Sequence, residues 1–534
     1  MNKAAPFFRT FDFPRRVIGL AIAAGITALM LMIFLAVSRA DIPLSSSSLQ
    51  PDIPHLVRMS LIQAALTTAL SLGVGIALAW ALNRLRFFGR QLVVSLFATA
   101  IVAPAIVVAL GVIALWGRAG WINGLLSAFS LDWNGSIFGL HGILLAHTIL
   151  NGAFAAHILL ARLETIPARK LKTAQSLALS PLRRFMVLDW PAISSSLPPL
   201  GAIIFLLAFT SFPIVLILGG GPANQTLEVA IYSYVRLSFD LRAALNLALV
   251  QLVLCLLIVL PALLMTPSLA DAGTSRHLHW PDNKNARILQ WLILLLALVG
   301  FGLPLLAVLV NGLGPGLFGV LVQPRFWQAA LTSLSIGTAS AILTLALALG
   351  LATARNSFAS PLARTALALP AFAYLVIPAL VLSLGFFLAV RKLQIPPADA
   401  APFVLILANA LLALPFAISV LAPALTAIDR RYRRTARSLA LGGFTRWRLV
   451  EWPLMGRAVG IALAFGFCFS LGDLGVIALF GTSEFSTLPW LMFRALGAYR
   501  TNDAAAIASV LLLLTLVAFW ALPPLMKKLS HARS

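Results

Sequence analysis

The chain has 534 residues, of which 60% are hydrophobic and 10% are charged, and its net charge is +23. Soluble globular proteins are about half apolar and about a quarter charged, so this composition excludes a water-soluble fold and indicates a membrane protein. The positive-inside rule explains the basic excess better than nucleic-acid binding does. The two cysteines, Cys255 and Cys468, lie in apolar runs and have neither disulfide nor metal spacing.

Twelve apolar segments are each long enough to cross about 30 Å of hydrocarbon. In chain order they are residues 17–37, 58–82, 92–115, 138–161, 195–218, 243–265, 288–311, 329–354, 364–390, 401–425, 457–480 and 503–526. With the N-terminus inside, 29 of the 39 Lys and Arg residues fall in inner segments. The sequence therefore predicts an all-α polytopic membrane protein with about 12 transmembrane helices and both termini in the cytoplasm.

The first apolar run follows Arg15 and Arg16 and ends near Ser38–Ala40. Its position could suggest a cleaved signal peptide. The run is longer than the usual signal-peptide core, so we expect an uncleaved membrane anchor.

Four polar side chains inside the predicted spans are candidates for the pathway. His147 and Asn151 share one face of span 4; they could line a pathway, although hydrogen bonding between helices is the commoner use. Tyr374 in span 9 could stack on a substrate ring or simply pack. Asp473 is the one carboxylate placed within a span, where a charge costs about 2.5–3.5 kcal/mol. It could meet a cationic substrate, but bracing of an outer gate through backbone or Ser470 is favoured.

One loop sequence occurs twice. The stretch KTAQSLALSPLRRFMVLDWP, Lys172–Pro191, matches RTARSLALGGFTRWRLVEWP, Arg434–Pro453, at nine of twenty positions, 262 residues further on. Asp189 of the first copy meets Glu451 of the second. The motif PAIVVALG at Pro104–Gly111 aligns with PALVLSLG at Pro378–Gly385, here 274 residues further on, so small insertions separate the two motifs. Ordered matches of this kind predict an internal repeat.

The repeat predicts two six-span halves of parallel topology, residues 1–265 and 288–534. Residues 266–287 form a polar linker between them, in which His277 and His279 are expected to be solvated rather than metal ligands. The repeated loops, residues 162–193 and 426–456, then lie on the cytoplasmic side.

The repeated loops are predicted to dock a partner. In the first loop a helix from about Pro167 to Leu179 would put small and apolar side chains on one face, and the second loop would do the same. The docking residues are Thr173, Ala174, Leu177 and Ala178 in the first loop and Thr435, Ala436, Leu439 and Ala440 in the second. A basic loop that only anchors topology is the alternative. The sequence has no P-loop motif, so any ATP hydrolysis must come from another polypeptide.

The loop pattern resembles the EAA loop of binding-protein-dependent ABC importer permeases. In that family E-A-A is followed by a Gly four positions after the second Ala, and by a Pro about thirteen after the Gly. The matching positions here are Ala174, Ala178 and Pro191, and Ala436, Ala440 and Pro453. This sequence departs from the pattern at the acidic position, where Lys172 and Arg434 stand, and at the glycine position, where Ala178 and Ala440 stand.

The resemblance implies a type I ABC importer (MetI-like) permease fold in a bacterial inner membrane. It also implies that each loop is a coupling helix seated on one of two copies of an ATP-binding subunit, with a periplasmic substrate-binding protein as third partner. The partner ATPase would use ATP and Mg²⁺, and this chain would bind no cofactor and no nucleic acid.

Four local stretches favour one branch of this family. Trp116–Ile122, Gly139–Asn151, Leu218–Tyr232 and, less specifically, Ser470–Gly481 resemble the permeases for thiamine and thiamine pyrophosphate, which implies that substrate. The alternatives are a fused ferric-iron or other small-solute ABC permease, a six-plus-six secondary transporter, and a channel or structural membrane protein. Iron would require tyrosine or carboxylate oxygens that the chain barely offers, and a proton-coupled carrier usually keeps several buried ionisable residues.

Overall fold

The computed structural model describes residues 5–38, 51–131, 135–264, 280, 282–314 and 316–531. Within these ranges all regular structure is helical. Most of the predicted linker 266–287, including His277 and His279, lies outside the described residues, as does the predicted end of the first apolar run at residues 39 and 40.

The helices before the linker are α1 Ala5–Ser38, α2 Ile53–Arg84, α3 Arg90–Ala98, α4 Ala105–Trp116, α5 Trp121–Ser127, α6 Leu140–Leu163, α7 Ala168–Ser176, α8 Pro181–Arg184, α9 Trp190–Ser194, α10 Leu197–Phe209, α11 Pro213–Leu218, α12 Leu227–Arg236 and α13 Leu241–Leu264. Those after it are α14 Lys284–Gly312, α15 Gly316–Leu321, α16 Pro324–Ser357, α17 Pro361–Ala373, α18 Ala379–Lys392, α19 Pro397–Ser438, α20 Gly443–Arg446, α21 Trp452–Leu471, α22 Ile477–Phe480, α23 Leu488–Gly497 and α24 Thr501–His531. Two π-helical turns, Phe185–Asp189 and Trp447–Glu451, join α8 to α9 and α20 to α21.

Ten helical segments of the described chain are long and apolar enough to cross a membrane. A pair bent by 56°, Pro181–Ser194 with Leu197–Phe209, raises the number to eleven if it forms one span. The predicted count of twelve is therefore not confirmed. The predicted ninth span, 364–390, consists of two shorter helices, α17 and α18.

Two prolines at matching places in the repeat explain the broken spans. Pro104 immediately precedes α4 and Pro378 immediately precedes α18, each with an extended backbone (ψ 125° and 144°). Proline lacks an N–H and disfavours a helical residue before it, so a helix cannot run through these positions without distortion. The repeated Pro-Ala motif therefore begins a new helix at the same point in each half.

The first of two compact units contains α1 and every helix from α15 to α24, together with residues 231–245. Its core is formed by α16, α19 and α21, which pack on one another, and by α24, which packs on α21. Small residues bring these helices close: a Cβ added to Gly460 of α21 would lie 2.5 Å from the Cα of Pro523 of α24. Helix α1 packs on α16, where a Cβ on Gly19 would lie 2.1 Å from the Cβ of Ala354.

The second compact unit contains residues 48–230 and 246–314, and so includes α2 to α11 and α14. Helix α2 packs closely on α6, where a Cβ on Gly75 would lie 2.5 Å from the Cβ of Ala155. Helix α14 packs on α4 and α2. At the contact with α4, a Cβ on Gly111 would lie 2.6 Å from the carbonyl oxygen of Pro304.

The compact units exchange the first helix of each sequence half. Helix α1 is encoded in the first half but packs on α16, α17 and α18 of the second half. Helix α14 is encoded in the second half but packs on α2, α4 and α6 of the first half. The halves predicted from the sequence repeat and the units defined by contacts therefore differ by these two helices.

Replacement of Gly111 by valine tests the close contact of the exchanged helix α14. Because the new side chain would overlap the Pro304 backbone, we expect a loss of about 1–3 kcal/mol in stability. The measurement is thermal unfolding of the purified protein in detergent. Gly302→Val on α14 is the control, because a Cβ there meets nothing within 4 Å. Equal behaviour of the two variants would show that the contact is not tight.

Candidate functional site

Each repeated loop ends its helix with an alanine in the left-handed backbone region. In the first loop α7 ends at Ser176, Ala178 has φ 47°, and the Leu179 N–H donates to the Ala174 carbonyl. In the second, α19 ends at Ser438, Ala440 has φ 50°, and the Leu441 N–H donates to the Ala436 carbonyl at 2.8 Å. This is a Schellman-type helix end, which normally uses glycine because other residues are strained there.

The predicted helix from Pro167 to Leu179 is therefore wrong at its C-terminal end. The glycine position of the family pattern is the left-handed position, and this chain fills it with alanine. The early helix end also divides the predicted docking face. Ala174 and Ala436 are buried, whereas the remaining predicted docking residues are exposed: Thr173, Leu177 and Ala178 in the first loop, and Thr435, Leu439 and Ala440 in the second.

Exposed leucines occupy the same place in both loops. Leu177 is 66% exposed and Leu439 is 63% exposed, each directly before the left-handed alanine. An isolated surface leucine needs no explanation. A leucine exposed at the same position of a duplicated helix end is suited to insertion into a groove on a partner.

A π-helical turn follows the break in each loop and leads into Trp190-Pro191 or Trp452-Pro453. The Trp190 N–H donates to Phe185 O, and the Trp452 N–H donates to Trp447 O, each five residues back. A proline one residue later has no N–H to donate and its ring would clash with a regular helical carbonyl, so the wider turn accommodates it. The repeated Trp-Pro therefore explains the repeated π-turn.

The last residue of each π-turn is a buried carboxylate. In the first loop Asp189 is fully buried and pairs with Arg84, at the end of α2. Arg84 also lies 3.7 Å from Asp282, which in turn lies 3.3 Å from Arg184. Arg184 donates to the Trp280 carbonyl at 2.7 Å and stacks over the Trp280 ring at 4.1 Å. We call Arg84, Arg184, Asp189 and Asp282 the first clamp.

The second loop has the same arrangement with different partners. Arg446, which matches Arg184 in the repeat, donates to Asp429 at 2.6 Å and lies 3.1 Å from Glu451. Arg15 of α1 donates both terminal nitrogens to Glu451, at 3.2 and 3.1 Å, and also reaches the Gly443 carbonyl at 3.3 Å. We call Arg15, Asp429, Arg446 and Glu451 the second clamp.

Each clamp ties a repeated loop to the exchanged helix beside it. Arg15 belongs to α1, which reaches the second loop from the other sequence half. Asp282 stands just before α14 and accepts a hydrogen bond from Gln290 of that helix at 2.7 Å, so the first loop is bound to α14. Buried charges require such partners, because an unpaired one would carry a large desolvation penalty.

A further ion pair holds the start of the first loop. Arg90 at the start of α3 donates to Glu164 at 2.9 Å and to the Leu82 carbonyl at 3.0 Å. Burial lowers the pKa of Arg86 in the same turn, and the nearby Arg90 charge lowers it further, while Glu164 opposes the shift.

The predicted pathway acid, Asp473, lies in the break after α21. Its Oδ1 accepts from the backbone N–H groups of Gly475 (3.0 Å) and Val476 (3.2 Å). Ser470, a predicted alternative partner, instead accepts from Asn409 at 3.0 Å and donates to Ser340 at 3.3 Å.

The other predicted pathway residues are buried. His147 and Asn151 lie inside α6, and the Nε2 atom of His147 has no hydrogen-bond partner among the described residues. Tyr374 is 1% exposed in the break between α17 and α18, and its hydroxyl likewise has no partner in the described part of the chain. The roles of Asp473, His147, Asn151 and Tyr374 stay predictions.

The clamps were missed from the sequence, although one signal was present. Arg184 and Asp189 match Arg446 and Glu451 at the shift of 262 residues, so an arginine and an acid recur five residues apart in both loops. Their distant partners carry no such signal: Arg84 is 105 residues from Asp189, and Arg15 is 436 residues from Glu451.

Comparison with known proteins identifies relatives that are similar to this chain along most of its length. No protein-family model matches the chain. The chain is 38% identical to the thiamine transport system permease protein of Escherichia coli (strain K12) over 471 residues, which cover 87% of this chain and 88% of that protein. It is 36% identical to the protein of the same name from Haemophilus influenzae, with 87% of each chain covered. The Brucella melitensis protein is 37% identical over 86% of this chain and 85% of its own length.

The identity of 36–38% to these permeases along about 87% of the chain shows that the chain is a permease of the ABC importer class. The family membership that the loop resemblance implied is thereby confirmed. Within the class, the chain belongs to the family of thiamine transport permease proteins.

Replacement of Ala440 by glycine tests the left-handed helix end. A non-glycine residue pays about 1–2 kcal/mol in this region, whereas glycine costs about 0.5–1 kcal/mol in chain entropy, so we expect a net stabilisation of up to about 1 kcal/mol. Ala436→Gly, one turn earlier in the helix and buried, is expected to destabilise the protein. Thermal unfolding of both variants provides the measurement, and a loss of stability in Ala440→Gly equal to that in Ala436→Gly would contradict the assignment.

Replacement of Glu451 by glutamine tests the second clamp. Removal of one partner from a buried pair costs about 3–5 kcal/mol; because the Arg15 and Arg446 side chains are about a fifth exposed, we expect about 2–3 kcal/mol. The readout is the thermal midpoint of the purified protein. The exposed Glu484→Gln should leave that midpoint unchanged, and a silent Glu451→Gln would show that the clamp contributes nothing.

Proposed function

We propose that this chain forms the translocation pathway through which a bacterial inner-membrane ABC importer takes up thiamine or thiamine pyrophosphate. The observation that carries the proposal is the identity of 36–38% to thiamine transport permeases along about 87% of the chain. Two copies of the coupling loop in one chain support the view that a single polypeptide supplies both permease halves.

The partners follow from the same class. Two copies of a cytoplasmic ATP-binding subunit would hydrolyse ATP with Mg²⁺, one beneath each repeated loop, and this chain would bind neither. A periplasmic binding protein would deliver the substrate to the opposite side. The distribution of Lys and Arg supports this orientation, with both termini and both loops in the cytoplasm.

The exposed end of each loop helix is the proposed contact with the ATPase. Leu177 and Leu439 would insert into grooves on the two subunits. The alanine with positive φ after each leucine would end the helix there and leave the leucine accessible. Lys172 and Arg434 are exposed beside them, so this chain would offer a basic rather than an acidic residue to the partner.

Movement of a loop would then pass directly to two membrane helices. The π-turn joins the second loop to α21, and the second clamp joins it to α1; the first loop reaches α14 through Asp282. Because a buried ion pair resists separation, loop and exchanged helix would move as one body.

Asp473 is assigned to a structural role in this scheme. Its carboxylate is already engaged by backbone N–H groups that hold the turn after α21. We therefore propose that it shapes a gate near the end of the pathway, and that the binding protein sets much of the selectivity for the cationic substrate.

Uptake of labelled thiamine tests the proposal. The host would lack its own thiamine importer and would express this chain with its ATPase and binding protein. We expect the double variant Leu177→Arg and Leu439→Arg to lower uptake at least tenfold, because two buried charges would oppose docking of the ATPase. Co-purification of the ATPase subunit should fall in parallel.

Phe88→Arg is the matched control, since Phe88 is fully exposed on a different loop. It should transport normally. Uptake that survives the double variant, or that persists without the ATPase, would contradict the ABC mechanism. An intact complex that hydrolyses ATP but takes up no thiamine would contradict the substrate alone.

A further inference from the structure

A cavity of about 420 Å³ lies within the first compact unit, beside the second repeated loop. It is an open cavity bordered by the ends of α16 and α19, the start of α17, and the break at Gly442-Gly443. Its charged lining consists of Arg15, Arg364, Arg433, Arg437 and Arg446, with Asp429 and Glu451.

The carboxylates of this cavity are fully engaged by three of its arginines. Asp429 pairs with Arg433 at 2.5 Å and with Arg446 at 2.6 Å, and Glu451 pairs with Arg446 and Arg15. Five arginines and two carboxylates leave the lining with three uncompensated positive charges. Such a lining attracts an anion.

Two of the arginines have no carboxylate partner. Arg364 donates its Nε to the Phe358 carbonyl at 2.7 Å, and its terminal nitrogens are not paired with any described carboxylate. Within the described chain, Arg437 makes no side-chain hydrogen bond and no ion pair. The terminal nitrogens of Arg364 and the guanidinium group of Arg437 are therefore available to a ligand in the cavity.

The first repeat has fewer arginines at the corresponding positions, and acids of the chain balance those it has. There the positions of Arg433 and Arg437 are taken by Leu171 and Gln175. The two buried arginines of the first clamp are balanced by Asp189 and Asp282, which the chain itself supplies. The second repeat has gained Arg433 and Arg437 but only one acid, Asp429 at the position of Pro167, so its lining keeps an excess of positive charge.

From this excess we infer that the cavity is a binding site for a phosphate-bearing anion. Planar guanidinium groups pair with phosphate oxygens through two parallel hydrogen bonds, and several together suit a group with more than one negative charge. Thr353, Asn356 and Ser357 add polar side chains to the lining. A volume of about 420 Å³ is within the range of small-molecule sites.

The same chemistry has two sources, a free small phosphate compound and a phospholipid head group. In either case the ligand would contact the inner side of the second loop, which contributes Ala436, Leu441 and Gly443 to the lining. Its binding would hold this loop against α16 and α17.

Titration of the purified full-length chain with inorganic pyrophosphate in phosphate-free detergent buffer tests the site. Isothermal calorimetry should show saturable binding to the unmodified chain. The double variant Arg364→Gln and Arg437→Gln should bind at least tenfold more weakly. Neither residue pairs with a described carboxylate. The variant loses one hydrogen bond, from Arg364 Nε to the Phe358 carbonyl, so its thermal midpoint should fall only slightly.

The control double variant is Arg434→Gln and Arg448→Gln, which removes the same charge from exposed positions outside the cavity. It should bind pyrophosphate normally. A second arm measures retention of phosphatidylglycerol by native mass spectrometry. Lipid retention that requires Arg364 and Arg437, without pyrophosphate binding, would identify the head group as the source.

Two results would overturn the inference. One is the absence of both pyrophosphate binding and arginine-dependent lipid retention. The other is an equal loss of binding in the two double variants, which would reflect net charge rather than a site. The assay needs neither the ATPase nor thiamine, so its failure would leave the transport proposal unaffected.

Discussion

A buried carboxylate at the end of a π-turn is the constraint around which each repeated loop is organised. Asp189 and Glu451 are both removed from solvent, and a charge in that position has to be matched by a cation held in place. The need for this cationic partner determines which helix packs against each loop. In the first loop it draws in the end of α2, and in the second loop it draws in α1. The loops are therefore anchored parts of the helical bundle, and their exposed helix ends remain available to a partner.

Much of this architecture could be predicted from the sequence, because it depends on local chemistry and on repetition. Apolar length predicts spanning helices, and the shift of 262 residues identifies the two loops. The same reasoning fails where one residue departs from its usual conformation. Alanine seldom adopts a positive φ, so the sequence does not indicate that Ala178 and Ala440 do so. The predicted helix in the first loop therefore runs past its true end. Pro378 was visible, but apolar composition alone could not show that it divides the predicted ninth span.

The clamps could not be predicted, for a different reason. An ion pair between residues separated by hundreds of positions depends on the packing of whole helices, and the sequence offers many arginines for each acid. The exchange of α1 and α14 is equally invisible, because both helices are as apolar as the ones they could have packed against. The duplicated loops are also not equivalent. Asp282 neutralises the first, while arginines surround a cavity beside the second.

The exchange of first helices has a consequence for the order in which the protein can be assembled. A nascent chain enters the membrane from its N-terminus, and folding proceeds as segments emerge. Helix α14 finds α2 and α4 already made, so the unit to which it belongs can close once residue 314 has been synthesised. For helix α1 the order is reversed. Arg16 donates a hydrogen bond to the Ser357 carbonyl, and Ser357 is synthesised 341 residues later. During that interval α1 has only lipid, or the insertion machinery, along the surface that will later contact α16. Helix α1 is thus made early and packed late, and its place in the fold depends on its staying in the bilayer, unpartnered, until the second half arrives.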